Sequence, residues 1–451
     1  MDDDRQLTKT ICEVCVRVMV GRHSIRIPVH GFIELDDWEW DIVNHPVFQR
    51  LRRIRQLAFS EHIYPGSTHT RFEHSLGVLH VATKMFDVLQ RKHGALMGEQ
   101  LRFDNELLQR GRRLVRLAAL LHDVGHAPLS HSGEDLMPVV NGKRVDHEDY
   151  SGMLIAESMK DVIDNHRLNQ ERLHITGREV ASFYMGKPDV SANLLIFRDI
   201  VSGQLDADRM DYLLRDSHHC GVTYGFYDID RILDTLVFVQ VAENDAPGLK
   251  IAIEPGGRHA AEGMILARYF MFEQVYFQKT RMAYDHHGAA CLKEAIKPDG
   301  TLPDPHTEVG RKKYLKMDDW FLFEHIRSSN SLDALAILQH MHDRRVRETS
   351  EVADEKELRE HEEVMKMLQE KGMDAWSADA SKSWYKSGSS EIFIATDSSH
   401  AAFSRGRPLT KVSETAGKIR DSKQRRIYVP LGKKNDAAAL IGQKGDGHGL
   451  A

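Results

Sequence analysis

The sequence predicts a mostly α-helical body with small β segments and an appended α+β region at the carboxy terminus. Three observations carry this. Apolar residues recur at three- and four-residue spacing through most of the chain. Alternating extended runs are few and short. Beyond residue 330 the composition shifts to Glu-, Lys- and Arg-dense stretches followed by Ser- and Gly-rich ones. The 451 residues divide on this reading into an extended or hairpin segment (1–40), a helical body (41–330) and a carboxy-terminal region (331–451).

The elements follow in order. Residues 25–35, IRIPVHGFIEL, alternate around Pro28 and Gly31 as a short hairpin does. Val47, Phe48, Leu51, Ile54 and Leu57, with arginines at 50, 52, 53 and 55 between them, predict an amphipathic helix with a basic face over 41–57. The turn-like YPGSTHT leads into a helix beginning RFEHSLGV. Arg113 to Leu121 reads as an apolar helix that Gly125 and Pro128 interrupt. A further helix is expected over SGQLDADRMDYLLRDSHHCG, and one long aromatic-rich helix from Ala260 to Leu292. LVFVQVA, LKIAIEP, EIFIAT and RIYVPL read as short strands. Met341 to Gly372 reads as a solvated helix, 373–390 as a linker, and the chain after Leu431 as disordered.

Composition limits the function classes. No apolar run of about 18 residues exists and the chain opens on the acidic MDDDRQ, so a cytoplasmic protein without membrane segments is expected. A net charge of −6 argues against general nucleic-acid coating, so phosphorylated ligands would be met by local arginines. The four cysteines, Cys12, Cys15, Cys220 and Cys291, are too few for a disulfide framework, and the CxxC at Cys12 and Cys15 reads as structural or incidental. Histidine is in surplus: of 26, nine fall between His62 and His147.

His122 and Asp123 stand together at the end of an apolar helix, where burying both is costly unless a cation compensates. His74 and Asp208 are further ligand types on neighbouring predicted helices. Two imidazoles and two carboxylates without thiolate suit one divalent transition metal, Mn, Zn, Fe or Ni, with Mg less well suited at this set.

RFEHSLGV, LLHDVGHAPLSH, VDHE and DADRMDYLLRDSHHCG resemble, in this order, the HD-domain deoxynucleoside triphosphate triphosphohydrolases. The similarity is greatest to the branch that includes the vertebrate sterile-alpha-motif and HD-domain protein and its bacterial relatives, and it spans roughly residues 25–330. It implies an HD-domain helical fold with His74, His122, Asp123 and Asp208 as metal ligands, and an additional Mg arriving with the nucleotide. It also implies that His126, His131, Glu134, His147 and Glu148 line the reaction centre. His147 would be the general acid that protonates the leaving 5′ oxygen while water attacks the α-phosphorus, with Glu134 or Glu148 orienting it.

Arg71 and Arg209 would bring positive charge to the triphosphate. Asp208, Tyr212 and Asp216 share one helical stripe. The resemblance assigns Tyr212, Asp216 and Tyr284 to the sugar, Gln56 to its 3′ hydroxyl, and Leu57 to the wall near C2′. Arg209 stands where the family has a lysine. Tyr276 stands where the vertebrate protein has a phosphate-binding arginine, a role open to Lys279 or Arg281. Asn44, Gln49 and Arg52 match positions that bind a guanine nucleotide activator between subunits, which implies a homo-oligomer, dimer or tetramer. Asn44 lacks the carboxylate that would fix guanine. The expected partners are thus a dNTP substrate, a nucleotide activator and further copies of the chain, without membrane or nucleic acid. Two alternatives stand beside this reading. One is another HD phosphohydrolase, a nucleotidase or a cyclic or alarmone phosphodiesterase, and the other a non-catalytic nucleotide-binding regulatory module.

Overall fold

The structure is a computed structural model that describes residues 22–243, 246–382, 391–396, 403–418 and 422–446, so Cys12 and Cys15 lie outside the described residues. It is mostly helical, as the periodicity predicts, with four small sheets among the described residues. Among the described residues no helix is long and apolar enough to cross a membrane.

The hairpin forms as expected. Arg22–Ile27 pairs antiparallel with Gly31–Asp36, Ile25 facing Ile33, and Ile27, Ile33 and Leu35 go into the core. Its turn needs positive φ at Val29 (74°) and Gly31 (76°), so only the second is free of steric cost.

The segment 41–57 departs from the single amphipathic helix that its spacing predicts. A helix spans Asp37–Asn44, started by an Asp36–Glu39 capping box. His45 is extended, as a residue before proline tends to be, and Pro46–Gln49 makes one turn. Arg50–Arg53 is a 3₁₀ turn and Ile54 is extended again. Nor is the arginine face wholly solvated. Arg50 is 1% exposed, donating to the carbonyls of His126 (2.8 Å) and Met317 (2.6 and 2.9 Å).

Three helices carry the body: Arg71–Leu101, Asn105–Leu121 and Ala207–Cys220. The first buries an apolar stripe from Phe72 through Met97 against the other two. The second begins on the Asp104 cap and ends at His122. The third begins on the Asp206 side chain and ends at left-handed Gly221.

The expected long helix over 260–292 is two, Arg258–Met271 and Lys279–Ala295. A wide turn at Phe272–Tyr276 separates them, and the Gln278 side chain caps the second by accepting from the amides of Thr280 (2.6 Å) and Arg281 (2.9 Å).

The carboxy-terminal readings change most. Met341 to Gly372 holds a strand, Arg344–Glu348, before the helix Glu355–Glu370, and that helix buries His361, Val364 and Leu368. Part of the expected linker is the strand Trp376–Lys382, and 383–390 lie outside the described residues. The chain after Leu431 forms the helix Lys434–Asp446 where disorder was expected. Val364, Leu368, Ile427, Val429 and Ala437 make a small separate core that explains both changes. Here Ser422–Val429 lies between Trp376–Lys382 and Arg344–Glu348. Strands Phe393–Ala395 and Ser404–Pro408 close a four-stranded barrel with Leu236–Glu243 and Ala246–Ile253, so the appended region shares a sheet with the helical body.

Glu39 joins the hairpin end to the Asn105–Leu121 helix. Its carboxylate receives Arg113 (2.6 Å) and Arg116 (2.7 and 2.7 Å). Burial alone would raise its pKa, but Arg113 and Arg116 outweigh burial and lower it to about 2. A depressed folded-state pKa gives stability that is complete above the unfolded value near 4.5 and is lost as pH falls through about 2. We expect roughly 3 kcal/mol to disappear across that window. Urea midpoints of the native protein should fall there more steeply than those of Glu39→Gln, and parallel profiles would contradict the assignment.

Candidate active site

The metal-ligand set expected from the sequence converges. His74 lies in the first turn of Arg71–Leu101, His122 closes Asn105–Leu121, Asp123 follows it, and Asp208 lies in the first turn of Ala207–Cys220. His74 Nε2 is 3.1 Å from Asp208 Oδ1 and 3.6 Å from Asp123 Oδ2. His122 Nε2 is 3.2 Å from Asp123 Oδ1 and 3.8 Å from Asp208 Oδ1. Both Nε2 atoms are buried without a hydrogen-bond partner among the described residues, although the far nitrogen of each ring is held, His74 Nδ1 by Asp211 (2.8 Å) and His122 Nδ1 by the Ala119 carbonyl (2.8 Å). Ring nitrogens anchored behind and bare in front, facing two carboxylates, fit a divalent cation with N and O ligands.

The break after His122 is built by two small residues. Ser151 Oγ donates to the His122 carbonyl (2.6 Å) and accepts from the Gly125 amide (2.9 Å). A Cβ on Gly125 would collide with the His147 carbonyl and the Ser151 amide, so only glycine lets the His147–Met153 helix approach this closely. The approach brings the second expected cluster together. The rings of His126 and His147 stack at 4.1 Å, and His131 meets both edge-on at 5.0 and 5.4 Å. Glu134 Oε1 contacts Nδ1 of His147 (2.7 Å) and of His131 (2.8 Å). Glu148 faces solvent, so Glu134 is the carboxylate that holds His147. Asp123 links the two clusters, since its Oδ1 lies 3.2 Å from His126 Nε2.

Arg71 is buried and donates to Asp123 and Ser130. Arg209 turns its guanidinium to Asp206 and the Gly203 carbonyl. Gln56 and Leu57 are buried beside each other, and among the described residues Gln56 Oε1 has no hydrogen-bond partner. Asp216 is filled at both oxygens, by His69 Nε2 (2.7 Å) and Tyr276 Oη (2.7 Å), and Tyr212 lies edge-on to Tyr276. Tyr284 hydrogen-bonds His340 (3.0 Å) and stacks on His62 at 4.5 Å. In the proposed activator set Gln49 Oε1 accepts from Arg52 (2.8 Å), Arg52 covers the Phe72 ring at 3.5 Å, and Asn44 is exposed at its helix end.

Sequence reasoning missed His69, Tyr276 as partner of Asp216, and above all Asp211. Asp211 is fully buried and bonded to His74 Nδ1, His30 Nε2 and Arg215. The signal available was the i, i+4 spacing of Asp211 and Arg215, an ion pair on a helix otherwise packed by Met210, Leu213 and Leu214.

The charges are sorted by their neighbours. Burial pushes His126 well below its usual value, and Arg71 and His147 add to this, so it is neutral. Burial also opposes charge on His147, but the Glu134 carboxylate outweighs it and raises His147. For His74 burial is overcome by Asp208, Asp211 and Asp123, which hold it up at about 10. Asp123 and Asp208 are both held far below the carboxylate range, against burial, by Arg71 and His122 in the first case and by His122 and His74 in the second.

Residues 71–215 match the HD domain. The chain is 36% identical over 252 residues to protein YwfO of Bacillus subtilis, covering 55% of this chain and 50% of that one. It is 29% identical over 301 residues to the deoxynucleoside triphosphate triphosphohydrolase SAMHD1 homolog of Dictyostelium discoideum, covering 65% and 53%. The chain spans about half the length of the curated relatives it matches. A crystal structure of a protein from Aquifex aeolicus superposes with a TM-score of 0.74 at 26% identity, over 93% of this chain and all of that one.

The carboxylates around His74 favour a cation at Nε2, which is a proton when no metal competes. Divalent-metal affinity, followed by titration with Co²⁺ or Mn²⁺, should therefore rise with pH through the neutral range as that proton is displaced. A pH-independent affinity would place the metal elsewhere.

Proposed function

The chain belongs to the HD-domain phosphohydrolase family, and from that premise we propose that it hydrolyses deoxynucleoside triphosphates to deoxynucleoside and inorganic triphosphate. The observation that carries the reading is the junction of two clusters at Asp123: a cation site on one side, a neutral and a protonatable histidine on the other. When bound, a divalent cation supplies positive charge against a phosphoryl oxygen and acidifies the attacking water.

His147, kept protonated by Glu134, delivers a proton to the leaving 5′ oxygen. His126 stays neutral between His147 and Asp123, so it separates the acid from the ligand carboxylate without adding a competing charge. On this reading Arg71, which holds Asp123, and Arg209, which would exchange its local Asp206 contact, supply the positive charge for the triphosphate. Gln56 Oε1, buried and unpartnered, suits the sugar 3′ hydroxyl, with Leu57 closing the side toward C2′. Tyr212, Asp216 and Tyr284 complete the sugar side on this reading, and His131 supports Glu134.

On the same family resemblance, exposed Asn44 and the Gln49–Arg52 pair would take an activator nucleotide between copies of the chain, which would make the protein a homo-oligomer. A purely regulatory nucleotide-binding module would have no need of a carboxylate whose one oxygen lies 3.2 Å from both His122 of the ion site and His126, the ring on which the acid His147 stacks.

Metal-loaded protein given each dNTP and rNTP should release deoxynucleoside and intact triphosphate. Pyrophosphate or single phosphate as product would mean attack at a different phosphorus and would overturn the reading. His147→Ala should lower kcat by about 10²- to 10⁴-fold. Because the acid must be protonated, activity should be lost as pH rises through the raised His147 pKa. Glu134→Gln removes the cause of that rise, so the alkaline limb of its pH–rate profile should move to lower pH. An unmoved limb would exclude His147 as the acid.

A further inference from the structure

We infer that the amino-terminal hairpin positions the metal ligand His74, and that His30 is the residue through which it acts. The inference rests on the cation site at His74 and is independent of which nucleotide the protein hydrolyses.

His74 can offer Nε2 to a cation only while its proton sits on Nδ1, and Nδ1 donates to Asp211 Oδ2 at 2.8 Å. The orientation of the Asp211 carboxylate therefore fixes both the tautomer and the tilt of the His74 ring. Asp211 is fully buried and receives four donors. Oδ2 takes His74 Nδ1 and Arg215 Nε (2.8 Å), while Oδ1 takes Arg215 Nη2 (2.8 Å) and His30 Nε2 (2.7 Å). His74 is on the long helix and Arg215 on the same helix as Asp211, so of these three residues His30 alone belongs to the hairpin turn.

The turn is rigid where it matters. Val29 and Gly31 on either side of His30 are held at positive φ, and the His30 amide bonds the Pro28 carbonyl at 3.0 Å. The Pro28 carbonyl also faces Arg215 Nη1 at 3.5 Å. On the helix side there is no slack. A Cβ on Gly77, one turn after His74, would collide with Asp211 and Arg215, so the carboxylate is clamped against the long helix. The outer face of the His30 ring looks onto His80, ring centroids 5.2 Å apart, beside a cavity of about 200 Å³ that Val29, Lys84 and Leu214 also line. That cavity gives His30 room to be replaced without overpacking.

The test is direct metal binding without substrate, by Co²⁺ absorption or Mn²⁺ paramagnetic resonance titration, with thermal melting of the metal-free protein in parallel. His30→Ala should weaken the metal by about 10- to 100-fold, the loss typical when a residue orienting a ligand is removed. His30→Gln, whose amide N–H can occupy the place of Nε2, should restore most of the affinity. Phe32→Ala, an exposed change on the same hairpin, should bind as the native protein does. Native affinity in His30→Ala overturns the inference. So does an equal loss in the alanine and glutamine variants, or a loss in Phe32→Ala as large as in His30→Ala, because either would mean that hairpin folding and not the His30 donor matters. Should His30→Ala fail to fold, His30→Asn, whose amide falls short of Asp211, takes its place and should bind metal more weakly than His30→Gln; equal affinities would overturn the inference in the same way.

Discussion

Two imidazole nitrogens, His74 Nε2 and His122 Nε2, lie buried without hydrogen bonds among the described residues and face two ionised carboxylates, and the rest of the structure is arranged around satisfying them. Each unpaired buried polar atom costs about 1–3 kcal/mol, and a buried carboxylate without compensation costs more. One divalent cation resolves all four groups at once. The helices meet here in the way this requires. Asp208 sits in the first turn of its helix, where the helix dipole favours negative charge. His122 ends its own helix, so its ring can leave the apolar packing that Leu117 to Leu121 provide.

Asp123 divides the centre chemically. One oxygen is shared by His122 and His126, while the other meets Arg71 and His74. Across this one carboxylate the histidines are driven apart. His126, near Arg71 and His147, is pushed down, and His147, against Glu134, is pushed up. Groups of one chemical type with pKa values separated by their surroundings are how a site keeps an acid beside a neutral spacer at one pH. The separation depends on Gly125, since any side chain there would hold the His147 helix away.

What the sequence discloses and what it hides follow one physical rule. Elements whose own residues decide their conformation are legible: the helix opening at RFEHSLGV, the break at Gly125, and the hairpin around Gly31. The residue types that such elements carry are legible too, so His74, His122, Asp123 and Asp208 can be singled out as candidate ligands before any contact is known. Segments decided by distant partners are not. The spacing over 41–57 is helical, yet Arg50 is drawn inward by the carbonyls of His126 and Met317 and the chain cannot stay straight past Pro46. The charged stretch after Met341 and the tail after Leu431 look solvated because neither contains a full apolar face; the helix Glu355–Glu370 is covered by Ser422–Val429, and the tail helix by Arg344–Glu348 and Glu355–Glu370. Asp211 is hidden for the same reason: its partners His30 and His74 lie 181 and 137 residues away.

The sugar side of the centre can be weighed by the same energetics. On the proposed reaction Leu57 would present an apolar wall, and such a wall rejects a substrate that adds one hydroxyl only by about 100-fold. Gln56 Oε1 would act more strongly, because it is buried without a partner among the described residues and a ligand hydroxyl that reached it would recover the cost of its desolvation. A substrate lacking that hydroxyl leaves the acceptor unpaired, a penalty that hydrophobic contact does not offset. On the proposed reaction, recognition of a hydroxyl by Gln56 therefore contributes more to selecting a nucleoside than exclusion of one by Leu57. Asp216 is already filled by His69 and Tyr276, so it can join that recognition only through the lone pairs those two donors leave free.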